Sequence, residues 1–314
     1  MRLGKMGRRV GGLAAPLLAL LVVASGCGQA SGGAAGGASA KPTVKIGSAN
    51  FTEQIIMGEL YAQVLEANGY KVERKLNLGT REIVAPALES GQIDITPEYL
   101  ATYLTYLTKD QSKAGTDPRA TAATLQETLK ARNLTALDYA PAQDENGFVV
   151  TKATADKLKL TKMSDLAQYN DQLILGGPST CPERPFCLVG LQKTYGLKFK
   201  DFKSLDTGGP LTVAALEGGQ VDVALLFTTD ARIVSKGFVL LQDDKTLQLA
   251  DNIVPIVRND LISKAPADLK SSLNAVSAKL TTQEMTQLNK RVDVDKEDAK
   301  PVAATWLKSK SLTK

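Results

Sequence analysis

The sequence predicts an α/β fold in two lobes, each a mostly parallel sheet with flanking helices. Three observations carry this expectation. Short apolar strands alternate with amphipathic helices over residues 43–96, and the alternation restarts after residue 150. A length of 314 residues exceeds one ordinary core and suits two lobes of roughly 100–150 residues. Finally, ALESGQIDITPEY (87–99) returns 128 positions later as ALEGGQVDVALLF (215–227), each copy ending on an aromatic.

The elements follow in order. TVKIGSAN (43–50) alternates apolar and polar residues and ends in a turn, as an opening strand does. From Glu53 to Asn68, Ile56, Leu60, Val64 and Leu65 recur at helical spacing, and Asn68-Gly69 is a stop. YKVERKLN (70–77) is a second strand, Arg81 to Ser90 a helix ended by Gly91, and IDIT (93–96) a third strand. In the second half, LILGG (173–177), DFKSLD (201–206) and VDVALLF (221–227) read as strands. LVGLQKTYG (188–196) and Thr212–Glu217 read as the helices between them. FVVTK (148–152) and NIVPIVR (252–258) are apolar and β-rich, and are expected to pair as they cross between lobes. The tail from Ala265 to Leu312 has a helical pattern and is expected to cover the first lobe. The expected division is 43–148 plus 253–314 for lobe 1 and 149–252 for lobe 2.

Residues 1–26 have the layout of a secretory signal: a basic start (Arg2, Lys5, Arg8, Arg9), an apolar run from Leu13 to Ala24, then Ser25-Gly26-Cys27. The small residues before Cys27 look like a lipobox, with Ala24 where leucine or valine is usual, so Cys27 is the expected lipidation site. Arg8-Arg9 is compatible with either a twin-arginine or a general export signal. GQASGGAAGGASAKP (28–42) cannot bury enough apolar surface to fold, and reads as a tether with a reach of roughly 20 Å. The expected location is therefore the extracytoplasmic face of a bacterial cell membrane, lipid-anchored.

Residues 1–26 hold four of the 38 basic groups and none of the 33 acids, so the remainder carries 34 basic against 33 acidic groups. A near-neutral body with no basic stripe interleaved with aromatics argues against nucleic acid as a partner. The chain has no histidine, which removes His-dependent triads, His metal sites and the commonest general base. No cluster has metal-ligand spacing and no glycine-rich phosphate loop appears. Catalysis, a metal and a cofactor are all unexpected.

Cys181 and Cys187, both in STCPERPFCL, are the two cysteines left for an oxidising compartment and are expected to pair. Such a staple is either purely local or stiffens the loop that presents Arg184 between Pro182 and Pro185. Arginine's planar fork matches a carboxylate in two hydrogen bonds. In PEYLATYL, Tyr103 and Tyr106 read as a partly buried helix face, whereas Tyr99 at the strand exit is expected to face a cleft. Ligands of open α/β sheets sit beyond the carboxyl ends of the strands, so Tyr99 and Phe227 would meet there. Aromatic faces attract cations, quaternary ammonium above all.

Taken together, IGSANFTEQ (46–54), LESGQIDITPEYLATYL (88–104), RPFCLVGLQKTYGL (184–197) and GQVDVALLFTTD (219–230) resemble the glycine betaine/choline/carnitine-binding proteins of ABC importers. The resemblance runs from about residue 43 to 312. It implies a two-lobed, type II periplasmic-binding fold that closes on a small osmoprotectant at its hinge and delivers it to an ABC permease, as a monomer. Aromatic rings would box the trimethylammonium head, and an arginine and a threonine would hold the carboxylate. Residue by residue, this gives Tyr99 and Thr102 in the first lobe, Arg184 for the carboxylate, and Phe227 in place of a second-lobe tyrosine. Asn50 and Thr52 of the first motif and Thr228 after Phe227 join the candidate set. Three departures stand out: Ala49 replaces a lysine, Asn146 a tyrosine, and Thr212 or Val213 an aromatic. Asn146 and Thr212 offer hydrogen bonds instead of rings, which keeps a non-quaternary polar, aromatic or polyol ligand as the alternative. Trp306 is expected on the C-terminal helix, away from the cleft.

Overall fold

The computed structural model describes residues 41–314; the expected signal, Cys27 and the tether up to residue 40 lie outside the described residues. The chain opens with β1 (Val44–Gly47), α1 (Thr52–Ala67), β2 (Val72–Lys75), α2 (Arg81–Glu89) and β3 (Ile95–Tyr99). It continues through α3 (Leu100–Thr108), α4 (Pro118–Lys130) and β4 (Leu134–Ala136). The second half runs β5 (Asn146–Val150), α5 (Lys152–Leu158), β6 (Ile174–Pro178), α6 (Leu188–Tyr195), β7 (Asp201–Leu205), α7 (Pro210–Glu217), β8 (Val223–Phe227), α8 (Arg232–Ser235) and β9 (Val239–Leu240). After β10 (Ile253–Arg258) come α9 (Asn259–Ile262), α10 (Asp268–Lys279), α11 (Thr282–Asp293) and α12 (Ala299–Ser309).

Two five-stranded sheets result, ordered β2-β1-β3-β10-β4 and β7-β6-β8-β5-β9. They are the same diagram written twice. In each, the first three strands of the order run parallel, and the strand beside the central one is antiparallel to it: β10 beside β3 and β5 beside β8.

The internal repeat has a local cause in this diagram. Gly91 and Gly219 end α2 and α7 with φ of +77° and +66°, a backbone region in which a Cβ is strained. Asp94 and Asp222 then clasp the neighbouring strand. Asp94 Oδ2 accepts from Lys45 N at 2.9 Å while its own N donates to Lys45 O at 2.7 Å. Asp222 repeats this on Ile174, at 2.8 and 2.9 Å. These clasps hold the segment before each central strand, so β3 and β8 begin two residues after IDIT and VDVALLF do. Each strand then ends on its aromatic.

The expected pairing of the two crossing strands needs correction. β5 and β10 each pair inside one sheet. The chain passes between lobes just before them, where Asp144 N donates to Asp251 O and Ile253 N to Ala142 O, both at 3.0 Å. An apolar strand buried on both faces is satisfied by the sheet it enters, so the crossing itself is left to the more polar residues ahead of it.

Helix α1 shows why the tail returns. Its residues Ile56, Met57, Leu60, Tyr61, Val64 and Leu65 are buried around most of its circumference. One sheet cannot cover that, and α10, α11 and α12 close the other side in a single cluster with Leu273, Leu288, Val302 and Leu307. Each fully buried Leu or Ile contributes about 1.5–3 kcal/mol. Trp306 lies here, with its indole N–H donated to Glu284 Oε2 at 2.7 Å.

Candidate functional site

β3 and β8 stop at Tyr99 and Phe227, and a cleft of about 630 Å³, solvent in its mouth included, opens between their tips. The aromatics that end the repeat both line it. Across the first sheet Tyr99 is paired with Ile253, and across the second Phe227 with Asn146, so the crossing chain frames both tips.

A third ring completes the apolar wall. Phe51, one residue before α1, stacks on Phe227 with centroids 4.8 Å apart and on Tyr99 at 6.4 Å, with interplanar angles of 22° and 20°. The row spans both lobes. Phe51 was legible in the first motif, where an aromatic next to a helix start is a cleft candidate, yet sequence reasoning passed over it. Gly208 makes room for Phe227: its φ is +63°, and a Cβ there would lie 3.1 Å from the ring.

The polar part is built around two arginines with opposite circumstances. Arg81, at the start of α2, is spent. Its Nε and Nη2 donate to Glu98 at 2.7–3.0 Å and Nη2 also to Thr102 Oγ1 at 3.0 Å. Arg184 makes no side-chain hydrogen bond or ion pair with any described residue, although it lines the same cleft. Burial, and then the nearby charge of Arg81, push its guanidinium down to about 10. The loop that carries it is tied at both ends. Cys181 and Cys187 are joined by a disulfide, and Asn146 Nδ2 and Gln248 Nε2 both donate to Phe186 O at 3.1 Å. On its far side Gly190 packs so closely that a Cβ would lie 2.1 Å from Pro185 O. This cation is braced by its loop and makes no direct ion pair with a described residue; the acid of the cleft wall whose charge acts on it most is Glu82.

Behind the rings lies a buried polar network between the lobes. Tyr99 Oη donates to Glu53 Oε1 at 2.7 Å, and Asn289 Nδ2 donates to Glu53 Oε2 at 3.0 Å. Thr229 Oγ1 lies 2.6 Å from Glu53 Oε2 and 2.9 Å from Asp144 Oδ1. One hydroxyl hydrogen cannot serve both contacts, so both are full hydrogen bonds only when one of the two carboxyls is protonated. Burial raises both above the usual carboxylate range, and for Asp144 the charge of Glu53 adds to it. Asp251, 2% exposed and accepting from Thr102 N at 2.8 Å, is pushed by burial up to about 7.

Of the residues named from sequence, Asn50, Tyr99, Thr102, Asn146, Arg184 and Phe227 line this one cleft. Thr52, Thr212 and Thr228 do not. Thr52 Oγ1 donates to Asp293 Oδ1 at 2.6 Å in a neighbouring cavity, where Asp293 also lies 3.7 Å from Arg232 of the other lobe. Thr212 is fully buried and bonded to Asp206, which caps α7. Thr228 Oγ1 accepts from Glu145 N at 2.9 Å. In each case a threonine at a helix start or strand end is taken by the local backbone or a neighbouring acid before it can reach the cleft. Tyr103 is buried in the core and Tyr106 stacks beside it at 6.3 Å, as a helix face would. Arg81, Glu98, Asp144 and Asp251 were not foreseen, since nothing local marks an acid that will be buried.

Two matching lobes, a cleft at the strand tips and a crossing chain between them define a solute-binding protein by class. The family model for the substrate-binding domain of the ABC-type glycine betaine transport system matches residues 42–309, and this chain belongs to that family. Among curated relatives, the glycine betaine-binding protein YehZ of Escherichia coli is 30% identical, covering 86% of this chain and 92% of its own. The carnitine transport binding protein OpuCC of Listeria monocytogenes is also 30% identical, covering 86% and 88%. Among solved structures, a glycine betaine/carnitine/choline ABC transporter protein superposes with a TM-score of 0.67 at 30% identity, covering 86% of this chain and 99% of that one. Members of the family are extracytoplasmic and serve ABC permeases by binding small molecules.

Proposed function

We propose that this chain captures a betaine, a zwitterion with a quaternary nitrogen and a carboxylate, by closure of its lobes, and presents it to an ABC permease. The observation that carries the ligand assignment is Arg184, a braced guanidinium with no direct ion pair or side-chain hydrogen bond to a described residue, in a cleft walled by Phe51, Tyr99 and Phe227. An anion at Arg184 would replace the solvation the cation has lost, and the ring faces would take the methylated end. Closure follows from the division of labour. Phe51 and Tyr99 come from one lobe and Phe227 and Arg184 from the other, so the ligand favours the state in which they meet. The reading includes no catalytic step.

Calorimetry with glycine betaine, choline and carnitine is the direct test. Saturable binding of at least one of them is expected, and silence from all three, with heat from a polyol or phenolic compound, would replace the betaine assignment.

The anchor belongs to the same proposal. With Cys27 lipidated and a tether of fifteen residues, the body would stay within reach of a membrane-embedded permease. Cys27→Ala is expected to move the protein from the membrane to the soluble fraction on cell fractionation. Retention in the membrane would mean that something other than this cysteine holds it.

A further inference from the structure

Resting on the betaine reading, we propose that Asn146 makes the cleft selective for betaines that carry a hydrogen-bond donor, a hydroxyl or an N–H, in addition to their two charged ends. Asn146 opens β5 directly opposite Phe227, so its side chain stands beside that ring. It is 7% exposed and lines the cleft.

The orientation of its amide is fixed by chemistry. Nδ2 donates to Phe186 O at 3.1 Å and to Gln248 Oε1 at 3.2 Å, which uses both of its hydrogens. A main-chain carbonyl can only accept, so turning the amide over would set two oxygens against each other. Oδ1 is thereby aimed away from Phe186 and takes no hydrogen from any described residue. It is not sealed in either. The asparagine oxygens that are buried without a partner are those of Asn252 and Asn289. An acceptor in the cleft wall, held by its own nitrogen, is left for the ligand. Neither arginine of the wall donates to it: Arg81 is spent on Glu98 and Thr102, and Arg184, the free one, is the partner assigned to the ligand carboxylate.

A bare glycine betaine has no N–H or O–H. Seated against Phe227, it would cover this oxygen with methyl groups and leave it dry and unpaired, whereas a donor on the ligand would satisfy it. Leaving a buried acceptor unpaired weakens binding by about tenfold or more.

Asn146 also braces the loop of Arg184 through Phe186, and the test must separate the two roles. Binding is measured by calorimetry on the wild type, Asn146→Ala and Gln248→Ala. The ligands are carnitine against γ-butyrobetaine, which differ only in the hydroxyl, histidine betaine against its ring N-methyl derivative, and glycine betaine. In the wild type, at least one donor-bearing member is expected to bind about tenfold tighter than its donor-free counterpart and tighter than glycine betaine. Asn146→Ala should erase that preference. Gln248→Ala removes the other donor to the Phe186 carbonyl but leaves Asn146 Nδ2 bonded to it, and so should weaken all ligands alike and keep the preference. Equal affinities within both pairs, tighter binding of glycine betaine than of either donor-bearing ligand, or a preference that survives Asn146→Ala overturns the proposal. Absence of binding by every betaine tested overturns the betaine reading instead.

Discussion

Arg184→Ala is expected to weaken the binding of glycine betaine by about two to three orders of magnitude while leaving choline nearly unaffected. The guanidinium has been stripped of part of its water and makes no direct ion pair with a described residue in return, only the more distant attraction of acids such as Glu82, so a ligand carboxylate would be its hydrogen-bonded partner. Removing one member of such a buried, hydrogen-bonded charge pair costs about 2–5 kcal/mol. Choline has a hydroxyl where glycine betaine has a carboxylate, and its cation gains nothing from a second positive charge nearby. Arg184→Lys should fall between, since it keeps the charge but loses the planar fork. Calorimetry on the three proteins with both ligands decides the matter; equal losses for the two ligands in Arg184→Ala would take the carboxylate role away from this residue.

Stability is expected to fall as pH rises from about 4 to about 8. The acids responsible are Asp251, pushed up to about 7, and the Glu53–Asp144 pair, both raised by burial. In that range the folded chain holds protons that the unfolded chain has released, so unfolding becomes easier as pH increases. For Asp251, moving from an unperturbed 3.8 to about 7 corresponds to something on the order of 4 kcal/mol, present near pH 4 and lost above neutrality. The acids whose values are lowered, such as Asp268 with Lys41 and Glu284 with Lys310, act in the opposite sense, but below about pH 4.5. Asp251→Asn keeps an oxygen for Thr102 N and removes the titration. It should match the wild type near pH 4, exceed it in urea denaturation at pH 8, and flatten the curve between. A wild-type curve that rises through this range would contradict the buried position of these acids.

The sites where sequence reasoning succeeded share a short physical range. Gly91 and Gly219 stop helices through their own φ, and Asp94 and Asp222 clasp a strand from the position after the turn, so a thirteen-residue pattern records both events. The Cys181–Cys187 pair is six residues apart and its loop needs nothing distant to form. Tyr99 and Phe227 were placed in one cleft because strand tips are a topological location. The threonines were misjudged for the opposite reason. Thr52, Thr212 and Thr228 belong to recognisable motifs, but a hydroxyl bonds to whichever donor or acceptor folding brings first, and for Thr52 that was Asp293, 241 residues away.

The sequence by itself determined two α/β lobes, their order, the doubled helix–glycine–strand unit and the position of the aromatic at each strand end. These follow from periodicity and turn chemistry, which act over a few residues. Only the tertiary structure decided which arginine is spent and which is free, that Phe51 joins the row of rings, and that the carboxyls of Glu53 and Asp144 meet around the Thr229 hydroxyl. Those outcomes depend on desolvation and on partners from distant segments, and a carboxylate or guanidinium carries no local mark of how much water it will lose.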